Sequence, residues 1–146
     1  MNNKIILLAE DNPDDEVLIL RALGAANVAN EVIVVHDGAE ALDFLFGRGD
    51  HAGRDTAMMP VVVLLDINLP KLNGLEVLQR IRSDDRTKYL PVVILTSSKE
   101  ENSIVESYRL GVNSYIRKPG DFDQFLEAIR LVGLYWLVLN QPLLHR

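Results

Sequence analysis

Cysteine is absent from all 146 residues, which excludes disulfides and thiolate metal ligands and fits a reducing compartment. Basic residues are in the minority, 15 Lys and Arg against 21 Asp and Glu, for a net charge of −6. With no Lys/Arg cluster either, the electrostatic footprint of a nucleic-acid binder is missing. Long apolar runs are missing too. Ile5 to Ala9 is too short for a signal peptide, and the longest uncharged stretch, Leu131 to Leu144, falls short of a membrane span and carries Asn140, Gln141 and Pro142. These absences predict a cytoplasmic protein that engages neither nucleic acid nor membrane. The length suits one domain, 1–146, able to bury about two-thirds of its unfolded surface.

What the chain does have is the run Val61-Val62-Val63-Leu64-Leu65 leading straight into Asp66. A short, largely β-branched segment that is apolar on both faces predicts a central strand of a parallel sheet. Around it, apolar strands and capped helices alternate. A first strand over Lys4 to Ala9 ends in Glu10-Asp11. Asn12-Pro13 followed by three acids starts a helix that Gly24 is expected to stop. A weaker strand covers Val32 to Val35. Asp37 with Glu40 opens a second helix ending at Gly47, and 47–59 reads as the one long loop. Its Arg48-Gly49-Asp50 resembles an integrin-binding motif, but nothing else in the chain suggests an extracellular protein.

After the central strand, Leu69 to Gly74 forms a turn, and a third helix presents Leu75, Leu78 and Ile81 on one face. Val92 to Leu95 is a second strand apolar on both sides, ending at Thr96-Ser97. Ser98 with Glu101 predicts a capping box for a fourth helix closed by Gly111. Tyr115 to Arg117 is a fifth strand ending at Lys118-Pro119, and a last helix runs from about Phe122 to Leu139. Five alternations with short connections specify right-handed βαβ units, hence an α/β domain with a parallel sheet covered on both faces.

All strands of such a sheet end at one edge, where ligands bind. Glu10, Asp11, Asp66, Thr96 and Lys118 follow four different strands, so they should converge there. Taken singly, every one but Asp66, which the strand before it already marks, reads as an ordinary loop residue; together they form a constellation. Three close carboxylates repel unless a cation joins them, and all-oxygen ligation selects a hard divalent ion, Mg²⁺ or Mn²⁺ in its place. Asp66 would then attack phosphorus to give an acyl phosphate, with Lys118 and the Thr96 hydroxyl receiving the phosphoryl group.

The segments Leu8 to Asn12, Leu65 to Pro70 with Asn73-Gly74, Leu95 to Ser97, and Tyr115 to Pro119 resemble the receiver domain of two-component response regulators across essentially the whole chain. The resemblance implies a flavodoxin-like (CheY-like) doubly wound sheet of five parallel strands with five helices, and phosphotransfer from a sensor histidine kinase to Asp66. It implies that Asp11, Asp66 and the Asn68 backbone carbonyl bind Mg²⁺ directly, with Glu10 acting through water. Thr96 and Tyr115 would form a switch pair, the Lys118-Pro119 bond would be cis, and Asn68 and Ser98 would tune the dephosphorylation rate. Gly120 departs from the family's apolar residue at that place. No length is left for an effector domain. The long loop and the C-terminal tail resemble single-domain regulators partnered with bacterial phytochromes, so the expected kinase is a bacteriophytochrome.

In the last helix Phe122, Phe125, Leu126, Ile129 and Val132 make one stripe for the sheet. Beyond them Leu131, Leu134, Tyr135, Trp136 and Val138 leave no polar face; either the tail at Pro142-Leu143-Leu144 folds back over them or a partner covers them, and of the two 131–146 is expected to be an extended helix and tail used for a homodimer. Two other functions share the residue pattern. A Mg²⁺-dependent phosphohydrolase would use Asp66 as nucleophile, but Asn68 stands where such enzymes place a second Asp. A flavin or nucleotide module would need a phosphate cradle where Glu10 to Asp15 are acidic. The expectation is therefore a signalling protein that catalyses only its own phosphorylation and dephosphorylation.

Overall fold

A computed structural model describes residues 4–25, 31–96, 101–117 and 122–136. Five strands form one sheet: β1 (Ile5–Ala9), β2 (Glu31–Val35), β3 (Val62–Leu65), β4 (Val92–Thr96) and β5 (Ser114–Arg117). Between and after them lie α1 (Pro13–Ala25), α2 (Gly38–Phe46), α3 (Gly74–Ser83), α4 (Glu101–Arg109) and α5 (Phe122–Leu134). The strand order is β2-β1-β3-β4-β5 and every pairing is parallel. The order reverses between β1 and β3, which opens a crevice at their carboxyl ends.

The double-sided burial predicted for β3 is complete: Val62 to Leu65 are all fully buried. Their side chains alternate between two cores. Leu7, Ala9, Val63 and Leu65 pack with Leu42, Leu45, Val77, Leu78 and Ile81 of α2 and α3. Ile6, Leu8, Val62 and Leu64 pack with Ile19 and Leu23 of α1 and Phe125 and Ile129 of α5. Each fully buried aliphatic side chain contributes roughly 1.5–3 kcal/mol, so the central strands hold both layers.

Several boundaries differ from expectation. Helix α1 continues through Gly24 to Ala25; Gly24 is exposed with open space beside it, so the helix tolerates it at the modest cost of its backbone freedom. Glu31 joins β2 and Ser114 joins β5 because the parallel ladder extends one residue past the apolar pattern, pairing Glu31 with Ile5 and Ser114 with Val93. In α3 the buried stripe is Val77, Leu78 and Ile81, while Leu75 is only partly covered. Helix α2 follows the reading closely: Asp37 caps Glu40 N–H at 2.7 Å and Gly47 ends it at φ 65°.

The segment after Gly47 is folded, not a loose loop. It contains a 3₁₀ turn at Gly49–His51, so Arg48-Gly49-Asp50 is part of a turn on α2. The His51 ring meets Phe44 edge-on at 5.3 Å, and the Arg54 guanidinium lies over the Phe44 ring, 4.0 Å from its centroid. Ser98, Lys118, Pro119, Gly120 and Val138 lie outside the described residues, and with them the Ser98 capping box, the Lys118-Pro119 cis bond and the end of the last helix at Leu139. Within the described part, α5 passes at Tyr135 and Trp136 into a wider helical turn.

Candidate functional site

The ladder hydrogen bonds carry on one residue beyond the strands. Glu10 N–H donates to Val35 O at 3.0 Å, and Asp66 N–H donates to Ala9 O at 3.1 Å. Both side chains are therefore delivered by rigid sheet backbone to the crevice between β1 and β3. There one carboxylate oxygen each of Glu10, Asp11 and Asp66 lies within 4.8 Å of the others.

Burial makes this arrangement electrostatically demanding. Glu10 is 1% exposed and Asp66 is 7% exposed, with Asp11 open to solvent. Local hydrogen bonds orient them. Glu10 Oε2 accepts the Asn12 N–H at 3.2 Å, and Asp66 Oδ1 accepts the Asn68 N–H at 3.2 Å. Asn12 in turn caps α1, its Oδ1 accepting the N–H groups of Asp14 and Asp15 at 2.9 and 3.1 Å. The same residue thus starts the helix and turns the Glu10 carboxylate inward. Like charges this close repel one another, and a hard cation between them relieves that repulsion. The donors are all carboxylate oxygens, one of them solvent-accessible, a set that fits Mg²⁺ or Mn²⁺.

The other expected members fall into two groups. Thr96 closes β4 in register with Arg117, at the same sheet edge as the carboxylates. Tyr115 pairs with Ile94 on the neighbouring strand; it is half-buried against the α2/α3 core, with its hydroxyl oxygen buried. Asn68 sits in the turn that follows Asp66, tied to it by its own N–H.

The acceptor turn is also tied to α3 by contacts that the sequence did not reveal. Loop 66–74 closes on α3 through a capping box, Asn73 Oδ1 accepting Glu76 N–H at 2.9 Å and Glu76 Oε1 accepting Asn73 N–H at 3.2 Å. Gly74 comes so close to the acceptor turn that an added Cβ would strike the Asp66 carbonyl oxygen and sit 2.8 Å from Ile67 Cα. The asparagine-glycine pair was visible as a turn; the reason for its glycine was not.

At the far end of the sheet, Leu131 and Tyr135 are 50% and 47% exposed, while Leu134 and Trp136 are partly covered. Together with Val132, Asn113 and Ser114, three of these four (Leu131, Tyr135 and Trp136) line a groove of about 590 Å³. The Tyr135 and Trp136 rings meet edge-on at 5.0 Å.

Comparison with known proteins bears directly on this arrangement. The response regulator receiver domain family matches residues 6–130. Response regulator Rcp1 of Synechocystis sp. is 35% identical over 134 residues, 92% of this chain and 89% of that protein. The crystal structure of its Mn²⁺-bound form superposes with a TM-score of 0.88 at 34% identity, covering 96% of this chain and 99% of that one. The phosphorylated cyanobacterial phytochrome response regulator RcpA gives a TM-score of 0.89 at 40% identity, covering 96% and 98%. The bacteriophytochrome response regulator AtBRR is 49% identical with a TM-score of 0.76, covering 97% and 100%.

Proposed function

The chain belongs to the response regulator receiver domain family, and on that footing we propose that it is a phosphorylation switch whose acceptor is Asp66. The observation that carries this reading is the meeting of Glu10, Asp11 and Asp66 within 4.8 Å at the β1/β3 crevice. Asp11, Asp66 and the Asn68 backbone carbonyl would hold the divalent ion directly, with Glu10 acting through water, and the ion would supply neutralisation of charge on the incoming phosphoryl oxygens.

An Asp66 oxygen attacks phosphorus as the bond to the donor breaks, giving an acyl phosphate that water later cleaves. Thr96 and Lys118 bind the transferred group, Tyr115 reports its presence, and Asn68 and Ser98 set how fast water removes it. The added group brings nearly two negative charges to a crevice that already holds three carboxylates, so the residues around it rearrange between two packings. Binding to another protein is the output; the chain turns over no separate substrate.

The donor is a sensor histidine kinase. The likeness to RcpA and AtBRR, both phytochrome response regulators, supports a bacteriophytochrome as that kinase. None of the described helices is long and apolar enough to cross a membrane. The site of action is the cytoplasm, where the kinase would present its phosphoryl group. Leu131, Leu134, Tyr135, Trp136 and Val138 form a homodimer interface, a reading supported by the exposure of Leu131 and Tyr135 beside a groove that Val132 and Trp136 also line.

Incubation with acetyl phosphate and Mg²⁺ tests the central claim. The unaltered chain acquires one hydroxylamine-labile phosphate, and Asp66→Asn acquires none. Equal labelling of the two proteins would place the acceptor elsewhere and end this reading.

A further inference from the structure

The acceptor turn is held by a helix that contributes nothing to the acidic cluster. Loop 66–74 is organised around two backbone carbonyls. Ile67 O accepts the N–H groups of Leu69 at 3.0 Å and Gly74 at 2.8 Å. Pro70 O accepts those of Leu72 at 2.8 Å and Gly38 at 3.2 Å. Each carbonyl therefore has one bond inside the loop and one from a glycine that opens a helix, α3 in the first case and α2 in the second.

The second of these turns is strained. Lys71 lies between Pro70 and Leu72 at φ 68°, the one positive φ at a non-glycine among the described residues. A three-residue turn of this hand is rare for a residue with a side chain, and such a conformation persists only when its surroundings impose it. Here the surroundings are the first turn of α2. Besides the Gly38 bond, Asp37 Oδ2 lies 3.5 Å from Lys71 Nζ. That ion pair is weak, because the Lys71 side chain is 70% exposed. The stronger constraint is the backbone fit: a Cβ on Gly38 would collide with the Leu72 carbonyl oxygen and come within 2.7 Å of the carbonyl carbon.

We infer that Gly38 is a positioning residue for chemistry at Asp66. Its missing side chain lets α2 seat against residues 70–72, and that seat keeps the turn from relaxing, which fixes the path of the chain from Asp66 through Asn68 to Pro70. The inference rests on the reading above, that this turn supplies the Asn68 carbonyl to a divalent ion.

Calorimetric titration of the full chain with Mg²⁺ tests it, alongside the Mg²⁺ dependence of labelling by acetyl phosphate. Gly38→Ala should weaken Mg²⁺ about tenfold, the low end for changes just outside a ligand shell. Labelling should then need more Mg²⁺ by the same factor and approach the wild-type rate at saturation. Adding Lys71→Gly to Gly38→Ala should recover much of the affinity, because glycine lets the displaced turn re-form without strain. Ile129→Ala, in the opposite core, should lower the melting temperature and leave Mg²⁺ affinity unchanged. Asp37→Asn keeps a capping oxygen and loses the charge; it should weaken Mg²⁺ about twofold, the scale of an exposed ion pair, and it serves if Gly38→Ala does not fold. Wild-type affinity in both Gly38→Ala and Asp37→Asn, or an equal loss in Ile129→Ala, overturns the inference. A wild-type chain that binds no Mg²⁺ overturns the underlying reading instead.

Discussion

The Arg82 guanidinium and the Asn113 side-chain oxygen meet at 3.1 Å across the far end of the sheet from the acidic cluster. Arg82 is on α3 and Asn113 precedes β5, yet the pair closes a wider network. Arg82 also donates to Gly111 O at 2.9 Å and to Leu90 O at 2.7 Å, and Asn113 Oδ1 accepts Val92 N–H at 2.8 Å. One side chain thus satisfies acceptors at the end of α4, the start of β4 and the start of β5. Burial pushes the Arg82 pKa down from its ordinary value.

Truncating that side chain should therefore cost more than a surface substitution. Arg82→Ala leaves three acceptors short of a donor, and urea unfolding should show a loss of about 2–3 kcal/mol. Arg82→Lys should recover little of it, because a single ammonium cannot reach three divergent acceptors as the planar fork does. A loss under about 0.5 kcal/mol, the range of an ordinary surface change, would mean that water replaces these bonds without penalty.

Two residues further along, Asp84, which caps the end of α3, titrates unusually low. Side-chain and backbone hydrogen bonds from Arg86 hold its carboxyl down from 3.8 to about 2, with Arg86 Nε and Nη2 each 3.0 Å from its oxygens. The folded-state pKa lies below the unfolded one. The pair's contribution is therefore complete above pH 3.8 and is lost as pH falls toward 2. Carboxyl NMR titration should put the Asp84 midpoint near 2 in the wild type and raise it part of the way toward 3.8 in Arg86→Gln, which keeps the backbone N–H bond to Asp84 Oδ1. An unchanged midpoint in the variant would assign the shift to some other group.

How far the sequence reaches can be judged residue by residue. Val61 to Leu65 declared a central strand because nothing but burial on both faces explains that run, and the parallel sheet then forced Glu10, Asp11 and Asp66 to one edge. Asp37 and Gly47 announced α2 through local capping chemistry, which needs no tertiary information. The seat of Gly38 on Leu72 was not readable, because it depends on how two separate loops pack. Nor does a lysine at position 71 advertise a left-handed φ, which its neighbours impose. The segment from Gly47 to Met59 read as loose for the same reason: its polar residues are solvent-like in composition, and only the fold shows His51 and Arg54 docked around Phe44.

Charge reduction in the cluster should act in opposite directions with and without metal. Like charges within 4.8 Å of one another repel by roughly 3 kcal/mol or more at an effective dielectric of about 20, and Glu10 is the most buried of the three. Glu10→Gln keeps an acceptor for the Asn12 N–H and removes one charge. Without divalent ions it should melt about 3–6 °C above wild type, the shift that 1–2 kcal/mol gives a chain of this size. Added Mg²⁺ should stabilise it less than wild type, because affinity falls about 10–100-fold when such a partner is lost. Scanning calorimetry with EDTA and with Mg²⁺ measures both; a variant that melts lower in EDTA would show that Glu10 is held mainly by favourable contacts.

The groove at the end of α5 leads to the last expectation, about assembly. Leu131 and Tyr135 flank it at 50% and 47% exposure, and burying two large side chains per subunit counts twice across a two-fold axis, since the same patch serves both copies. Leu131→Asp places a charge in that patch without entering either core, so the monomer fold should stand. Sedimentation velocity at micromolar concentration should find a dimer for the wild type and a monomer for Leu131→Asp, with equal labelling of Asp66 by acetyl phosphate in the two. Trp136, the single tryptophan of the chain, lines the same groove, so its emission should move to longer wavelength as the interface opens to water. A wild-type monomer, or a Leu131→Asp dimer with unchanged emission, would move the interface away from this helix and leave the groove to another partner.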